Sequence, residues 1–173
     1  LAPTGIAAIN AGGVTIHSFF QVPFAPYVPE SSFSADGKAT YRFRYGKEKI
    51  NIIRSIDLLV IDEISMVRAD LLDSVDAVLR RFRDRNKPFG GVQLLMIGDL
   101  QQLSPVVKDD EWQMLRKYYD TPYFFSSQAL KQTEYCTIEL KKVYRQNDGT
   151  FLELLNRIRE NRCDGQVLEA LNR

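Results

Sequence analysis

The chain has 173 residues, of which 45% are apolar and 26% are charged. A sequence of this length and composition can bury a hydrophobic core, which excludes an intrinsically disordered protein and fits one domain. The 23 basic and 22 acidic side chains nearly cancel, which excludes a protein that binds nucleic acid through its overall charge. Any contact with nucleic acid must therefore be local.

The first residues, Leu-Ala-Pro-Thr-Gly, are typical of a strand end that runs directly into a turn. Because natural chains seldom begin at such a point, we expect the sequence to belong to a longer protein. A helix is predicted from Thr4, which can cap it, to Gly12 and Gly13, which end it. Residues 21–46 contain three prolines and several serines, which predicts a long surface excursion.

Three short apolar runs predict buried parallel strands, at residues 56–61 and 92–97 and, more weakly, at 135–140. A crossover helix is predicted from Ser65, its cap, to about residue 87, because apolar residues recur there at helical spacing. A last helix is predicted to begin with a capping box at Thr150 and to bury one apolar stripe. The stripe consists of Phe151, Leu154, Leu155 and Ile158.

Two carboxylates, Asp62 and Glu63, directly follow the first predicted strand. In open α/β sheets, ligands bind at the carboxyl ends of the strands, and Mg²⁺ prefers oxygen ligands. We predict that Asp62 holds a magnesium ion through its water shell and that Glu63 orients and deprotonates an attacking water molecule. The alternative is an ordinary strand that ends in a solvated turn.

The other two predicted strands lead to a glutamine and an arginine. Gln102 is a neutral amide that can bond to both a terminal phosphate oxygen and an attacking water molecule, which suits a sensor of nucleotide state. Arg145 has a fixed charge that could neutralise a transferring phosphoryl group as an arginine finger. The alternatives are that Gln102 caps backbone groups in a loop and that Arg145 forms an ordinary ion pair.

Motifs in the first 45 residues suggest contacts with nucleic acid. Residues 2–5 open a helix whose amide donors attract phosphate, although an ordinary turn has the same sequence. Residues 15–20 place hydroxyls, the single histidine and two aromatic rings together, either as a surface for a single strand or as core fillers. Residues 41–45 alternate aromatic and basic side chains, and we favour a hairpin strand over a surface that stacks on bases.

Five motifs follow one another along the chain: APTGIAA, TIHSFF, VIDEISMV, IGDLQQLSPV and VYRQ. Together they resemble the Pif family of superfamily-one DNA helicases, which are relatives of RecD. The resemblance covers nearly the whole chain, and the ordered set is specific although each motif alone is weak. It implies an α/β fold of the RecA-like type, with a mainly parallel sheet flanked by helices. It also implies the first motor domain of an ATP-driven helicase that moves 5′ to 3′ on single-stranded DNA.

The resemblance implies roles for individual residues. Asp62 and Glu63 match the Walker B acids, Gln102 matches the glutamine of motif III, and Arg145 matches the arginine near the γ-phosphate. The family's Ia segments, which lie along DNA, match Pro3, Thr4, Gly5, His17, Ser18 and Phe19. Ser104 and Pro105 stand where the family usually has two prolines. The implied ligands are ATP, Mg²⁺, single-stranded DNA and DNA forks, and the implied processes are DNA repair, recombination and telomere maintenance.

A glycine-rich phosphate loop should precede Leu1 and a second motor domain should follow Arg173, so we expect residues 1–173 alone not to hydrolyse ATP. We assign residues 1–149 to the motor domain, with 21–46 as a surface insertion, and 150–173 to helices leading towards the second domain. Two other functions stay open: a RecA-like ATPase subunit of a nuclease or transposition complex that does not unwind, and a passive DNA-binding module.

Two cysteines are too few for a disulfide framework, and no apolar run approaches the roughly 18 residues of a membrane span. We therefore expect no membrane partner. The expected location is the cytoplasm, at the nucleoid, in a bacterium, and the nucleus or mitochondrion in a eukaryote.

Overall fold

The computed structural model describes residues 1–28, 45–142, 144 and 148–172. Most of the predicted excursion at 21–46, residues 41–44 of the alternating segment, and Arg145 lie outside the described residues. The chain forms two compact units, Leu1–Glu134 and Tyr135–Arg173.

The first unit is built on two parallel strands, β1 (Leu58–Ile61) and β2 (Gln93–Met96). Their register places Leu58 opposite Gln93 and Ile61 opposite Met96, so the strands predicted at 56–61 and 92–97 are confirmed in shorter form. Burial alternates along β1, with Leu59 and Ile61 in the core and Leu58 51% exposed. The described residues therefore cover the strands on one face, whereas the continuous apolar runs predict burial on both.

Residues Leu1 and Ala2 extend this sheet beside β1. The amide of Asp62 donates to the carbonyl of Leu1 over 2.8 Å, and Ala2 forms a parallel bridge with Thr15. The amide of Ile16 donates in turn to the carbonyl of Ala2 over 3.0 Å. The first motif of the chain therefore lies between the strand that leads to the acids and the segment that leads to His17.

In the described part of the first unit the α-helices are α1 (Gly5–Asn10), α2 (Ile16–Phe20), α3 (Lys47–Arg54), α4 (Ala69–Phe82) and α5 (Asp109–Leu115). The predicted cap of α1 is confirmed, because the Thr4 side chain accepts a hydrogen bond from the amide of Ala7 over 3.3 Å. The buried face of α4, which includes Leu72, Val75 and Leu79, packs in one core with Leu59 and Ile61. This packing fixes α4 as the crossover between β1 and β2.

The prediction that Ser65 caps the crossover helix is wrong. Ser65 lies in a single helical turn, Ile64–Met66, and α4 begins only at Ala69. The amide of Ala69 is satisfied by the carbonyl of Pro122 over 2.9 Å, so a distant backbone group replaces the side-chain cap. The hydroxyl of Ser65 is buried and has no hydrogen-bond partner among the described residues.

The second unit contains α6 (Gly149–Arg159) and α7 (Gly165–Leu171). Asp148, not Thr150, caps α6, since its carboxylate accepts from the amides of Thr150 and Phe151 over 2.9 and 3.1 Å. The predicted stripe is not buried, because Phe151, Leu155 and Ile158 are 38%, 40% and 43% exposed. Among the described residues of this unit, α7 packs beside α6.

The prediction of a third strand at residues 135–140 is also wrong. These residues are exposed, and no described residue pairs with them as a strand. A parallel strand needs a neighbour for its backbone donors and acceptors, and side-chain pattern alone cannot supply one.

Among the described residues, no helix is long and apolar enough to cross a membrane.

Candidate functional site

The turn after β1 places two carboxylates at the carboxyl end of the sheet. Glu63 has φ 52° and ψ 44°, a left-handed conformation that is uncommon for a residue other than glycine. The Oδ1 atom of Asp62 accepts a hydrogen bond from the amide of Glu63 over 3.0 Å. Asp62 thereby supports the unusual backbone conformation of its neighbour, and both half-buried side chains stay at the strand end.

The loop after β2 packs directly against this turn. The amide of Ile64 donates to the carbonyl of Ile97 over 2.9 Å. A Cβ atom at Gly98 would lie 2.9 Å from Cγ2 of Ile64 and 3.1 Å from the nitrogen of Ser65. Only glycine fits this approach without a shift in the backbone, so the two strand ends are held together by close contact.

Asp99 organises the turn that carries Gln102. Its Oδ1 atom accepts from the amide of Gln101 over 3.0 Å, and its Oδ2 atom accepts from the Gln102 side chain over 3.1 Å. Sequence reasoning left Asp99 out of the site, although an aspartate two residues before an amide it can bind is the signal of an Asx turn. The structure therefore places Gln102, which is exposed, in a turn fixed by an acidic side chain.

Three of the four residues predicted around the nucleotide thus follow neighbouring strands at one edge of the sheet. Asp62 and Glu63 follow β1, and Gln102 follows β2. Arg145, the fourth, lies outside the described residues.

The acids at this edge suit a hard cation with few protein ligands. In the described part of the chain, neither Oδ2 of Asp62 nor the Glu63 carboxylate has a hydrogen-bond partner. No group of three metal-ligating side chains occurs among the described residues. Mg²⁺ is usually held by one or two carboxylates, with water and phosphate oxygens as its other ligands, and this donor set fits that pattern.

A cavity of about 270 Å³ brings together three of the residues predicted to lie along DNA, namely Pro3, Thr4 and His17. The ring of His17 stacks on the ring of Phe24, with centroids 4.4 Å apart and planes inclined by 23°. Phe24 is 81% exposed, so the stacked pair is open to solvent on one side. Such a pair of rings offers a flat face on which a base can stack.

An ion-pair network borders the same cavity. Arg68 forms a two-pronged contact with Asp70, with N–O distances of 2.9 and 2.8 Å, and also reaches Glu111 over 3.2 Å. Burial lowers the pKa of His17, and the charge of Arg68 lowers it further, whereas Asp70 acts in the opposite direction. Sequence reasoning missed Arg68 and Asp70 because their spacing is ordinary for the start of a helix.

The other residues predicted to lie along DNA have different surroundings. Phe19 packs on the hydrophobic core, and Nζ of Lys49 lies 4.0 Å from the centroid of its ring. Ser18 and Gly5 are exposed in α2 and α1. Tyr45, the described end of the alternating segment, faces inward, since its hydroxyl donates to the carbonyl of Phe20. Phe19 and His17 are only two positions apart in the chain, but Phe19 packs on the core whereas His17 lies at the cavity.

A family model described as PIF1-like helicase matches residues 1–167. The chain belongs to the PIF1-like helicase family. This family membership agrees with the ordered motifs and with the fold class predicted from the sequence.

Among curated proteins, the chain is 40% identical to human ATP-dependent DNA helicase PIF1 over 178 residues, covering 98% of the chain and 24% of that protein. It is 38% identical to the Saccharomyces cerevisiae protein of the same name, covering 96% of the chain and 18% of that protein. The chain thus spans about a quarter or less of the length of these relatives.

The fold also matches solved structures of the PIF1-like family. Bacteroides Pif1 bound to single-stranded DNA is 43% identical, with a TM-score of 0.90, over 98% of this chain and 38% of that chain. Bacteroides Pif1 in complex with ADP-AlF3 and single-stranded DNA gives a TM-score of 0.89 at the same identity, over 97% of this chain and 37% of that chain. The RecA-like α/β class predicted from the sequence is therefore confirmed.

Proposed function

We propose that the full-length protein is an ATP-dependent DNA helicase that moves 5′ to 3′ on single-stranded DNA and unwinds duplexes. One observation carries the proposal: the close contact of Gly98 with Ile64 and Ser65 holds the Glu63 and Gln102 turns at one edge of the sheet. Relatives named ATP-dependent DNA helicase PIF1, and structures of Bacteroides Pif1 with ADP-AlF3 and single-stranded DNA, support it.

In this proposal the acids and the glutamine act on the terminal phosphate of ATP. Glu63 accepts a proton from the water that attacks the γ-phosphorus, and Gln102 positions that water against a phosphate oxygen. Asp62 would hold Mg²⁺ through water, and when bound the ion neutralises charge on the phosphates. Arg145, outside the described residues, is proposed to stabilise the same charge, as an arginine finger does.

DNA is proposed to follow the amino-terminal motifs, represented by Pro3, Thr4, Gly5, His17, Ser18 and Phe19. The open face of the His17 and Phe24 rings supports a stacking contact with one base. The first turn of α1, which begins at exposed Gly5, offers backbone amides to a phosphate in the same region. Because Phe19 packs on the core, its contribution would be to hold α2 in place.

The first test replaces Glu63 in the full-length protein. Glu63→Gln keeps the size of the side chain but removes the base, so we expect ATP turnover to fall by about a hundredfold or more while ATP binding persists. Glu134→Gln is the matched control, since it neutralises an exposed carboxylate in the same unit. Turnover near the wild-type rate in Glu63→Gln would remove Glu63 from the proposed chemistry.

The second test addresses polarity and unwinding. Duplexes with a single-stranded tail at either the 5′ or the 3′ end should be displaced only when the 5′ tail is present. DNA-stimulated ATP turnover without displacement would favour the ATPase that does not unwind. DNA binding without any turnover would favour the passive module.

A further inference from the structure

The amino end of the sheet carries the opposite charge from the carboxyl end. Residues 47–57 and 80–87 contain eight basic and three acidic side chains, although the whole chain is almost neutral. The basic ones are Lys47, Lys49, Arg54, Arg80, Arg81, Arg83, Arg85 and Lys87. These segments contain α3, the end of α4 and the turn that follows it, so the excess charge is local.

Two of these arginines lock the ends of α3 and α4 together. The Nε atom of Arg54 donates to the carbonyl of Phe82, the last residue of α4, over 3.4 Å. The Nη1 atom of Arg83 donates to the carbonyl of Arg54, the last residue of α3, and more weakly to that of Ile53 over 3.5 Å. Each guanidinium therefore satisfies the end of the other helix, and both are held in place before any ligand arrives.

A shallow recess of about 400 Å³ lies beside this pair. Its walls are Arg54, Phe82, Arg83, Asp84, Lys87, Gly90 and Gly91. Gly90 has φ +61°, and a Cβ atom there would lie 2.7 Å from the carbonyl oxygen of Leu79. The glycine pair thus allows the chain to turn tightly against α4 and form one wall of the recess.

Two cationic side chains of the recess, Arg83 and Lys87, have N–H donors without a hydrogen-bond acceptor among the described residues, although Lys87 pairs electrostatically with Asp84. The Nε atom of Arg83 is buried and, within the described part of the chain, has no hydrogen-bond partner. The Nζ atom of Lys87 lies 3.7 Å from Asp84, which is beyond hydrogen-bond distance, and Lys87 is 68% exposed. Because Nη1 of Arg83 donates to the carbonyl of Arg54 and Nε is buried, Nη2 is the guanidinium nitrogen left for an anion.

We propose that this recess binds a backbone phosphate of DNA, at the end of the sheet opposite the proposed nucleotide site. Three cations against one carboxylate favour an anion, and guanidinium and ammonium groups are common partners of phosphate oxygens. Lys47, Arg81 and Arg85 are further exposed cations of the same two segments, which fits a polymer with repeated charges better than a single phosphate ion. The inference rests on the proposed function in one respect, namely that DNA is the polymer.

The position of the recess makes it separable from ATP chemistry. Arg54 and Gly91 lie a few residues before the starts of β1 and β2. Glu63 and Gln102 follow the ends of the same strands, at the opposite end of the sheet. A change in the recess should therefore alter the grip on DNA and leave hydrolysis on a short single strand unchanged. The recess would hold a part of a forked substrate that a short oligonucleotide does not reach.

The test uses the full-length protein with Lys87→Glu, and with Lys87→Gln as the milder variant. Affinity for forked DNA is measured at several salt concentrations, and the slope of log affinity against log salt should become shallower by about 0.9 for a lost duplex phosphate contact. We expect affinity for the fork to fall by about threefold to tenfold at low salt. Turnover stimulated by a short single strand, and the melting temperature, should not change.

Lys117→Glu is the matched control, because it reverses an exposed charge elsewhere in the first unit. The proposal is overturned if Lys87→Glu leaves the salt slope unchanged, or if Lys117→Glu alters it equally. It is also overturned if polyglutamate binds the wild-type protein in a manner that depends on Lys87 while the fork does not, since the partner would then be an acidic protein. Failure of the proposed ATP chemistry would be recognised separately, by normal turnover in Glu63→Gln.

Discussion

The side-chain amide of Gln102 donates to the carboxylate of Asp99 over 3.1 Å, so the glutamine proposed to sense nucleotide is oriented by its neighbour. The same aspartate accepts from the amide of Gln101, and the amide of Gln102 donates to its backbone carbonyl over 3.1 Å. One acidic residue therefore shapes the turn and directs the side chain that follows it. Asp99 is a positioning residue for the proposed reaction.

Asp99→Ala should lower ATP turnover because it releases Gln102 from its fixed orientation. We expect a loss of about tenfold in kcat, with little change in the KM for ATP. A double-mutant cycle with Gln102→Ala checks the cause, since the combined variant should be no slower than Gln102→Ala alone. Additive losses would indicate that Asp99 acts independently of the glutamine.

Gly98→Ala should separate the two turns that carry the proposed catalytic residues. The added Cβ atom would meet Ile64 and the backbone of Ser65 at 2.9 to 3.1 Å, so the backbone must move. Overpacking of this kind costs about 1–3 kcal/mol of folding free energy, measured by urea unfolding. Turnover should fall as well. Gly149→Ala is the control, because no described atom outside its chain neighbours and its own helix lies within 4 Å of the Cβ position, and it should lower neither quantity.

His17→Ala and Phe19→Ala should have different effects although the two residues belong to one motif. His17 stacks on exposed Phe24, so its loss should weaken single-strand affinity by about 1 kcal/mol or more, measured by a fluorescence titration. Phe19 packs on the core, so its loss should reduce the free energy of unfolding by about 2 kcal/mol or more. Lower affinity without lower stability in Phe19→Ala would place its ring on DNA instead.

Tyr45 should make the protein less stable at alkaline pH. Burial raises the pKa of Tyr45 to about 12, although the charge of Arg81 opposes the shift. Since the pKa is higher in the folded than in the unfolded state, the stabilisation is complete below about pH 10 and is lost as the pH rises towards about 12. Tyr45→Phe should reduce this dependence of the unfolding midpoint on pH. Tyr135→Phe, at a 59% exposed tyrosine, should leave it unchanged.

The local features that the sequence predicted correctly depend on short segments. Strands β1 and β2 were predicted because apolar runs of four to six residues end at polar turns, and the cap at Thr4 because its side chain reaches an amide three residues away. The placement of Asp62, Glu63 and Gln102 at one edge follows from parallel pairing alone. Such features need no knowledge of distant parts of the chain.

The features that the sequence did not predict depend on distant partners. Ser65 looks like a cap, but the carbonyl of Pro122 satisfies the first amide of α4, a contact that no local pattern reveals. Residues 135–140 have the composition of a strand but no described neighbour with which to pair. Asp148, and not Thr150, caps α6. Both residue types cap helices well, so the sequence alone does not decide which of the two residues starts the helix.

The two residues Leu1 and Ala2 have a mechanical consequence. Their backbone bonds to Asp62 on one side and to the segment before His17 on the other, so only two peptide units separate the acidic turn from α2. This connection consists of hydrogen-bonded backbone and includes no flexible loop. If the acidic turn or α2 moves by about an ångström, the other must move with it or a backbone hydrogen bond must break. The first two residues therefore couple the positions of the two proposed binding sites.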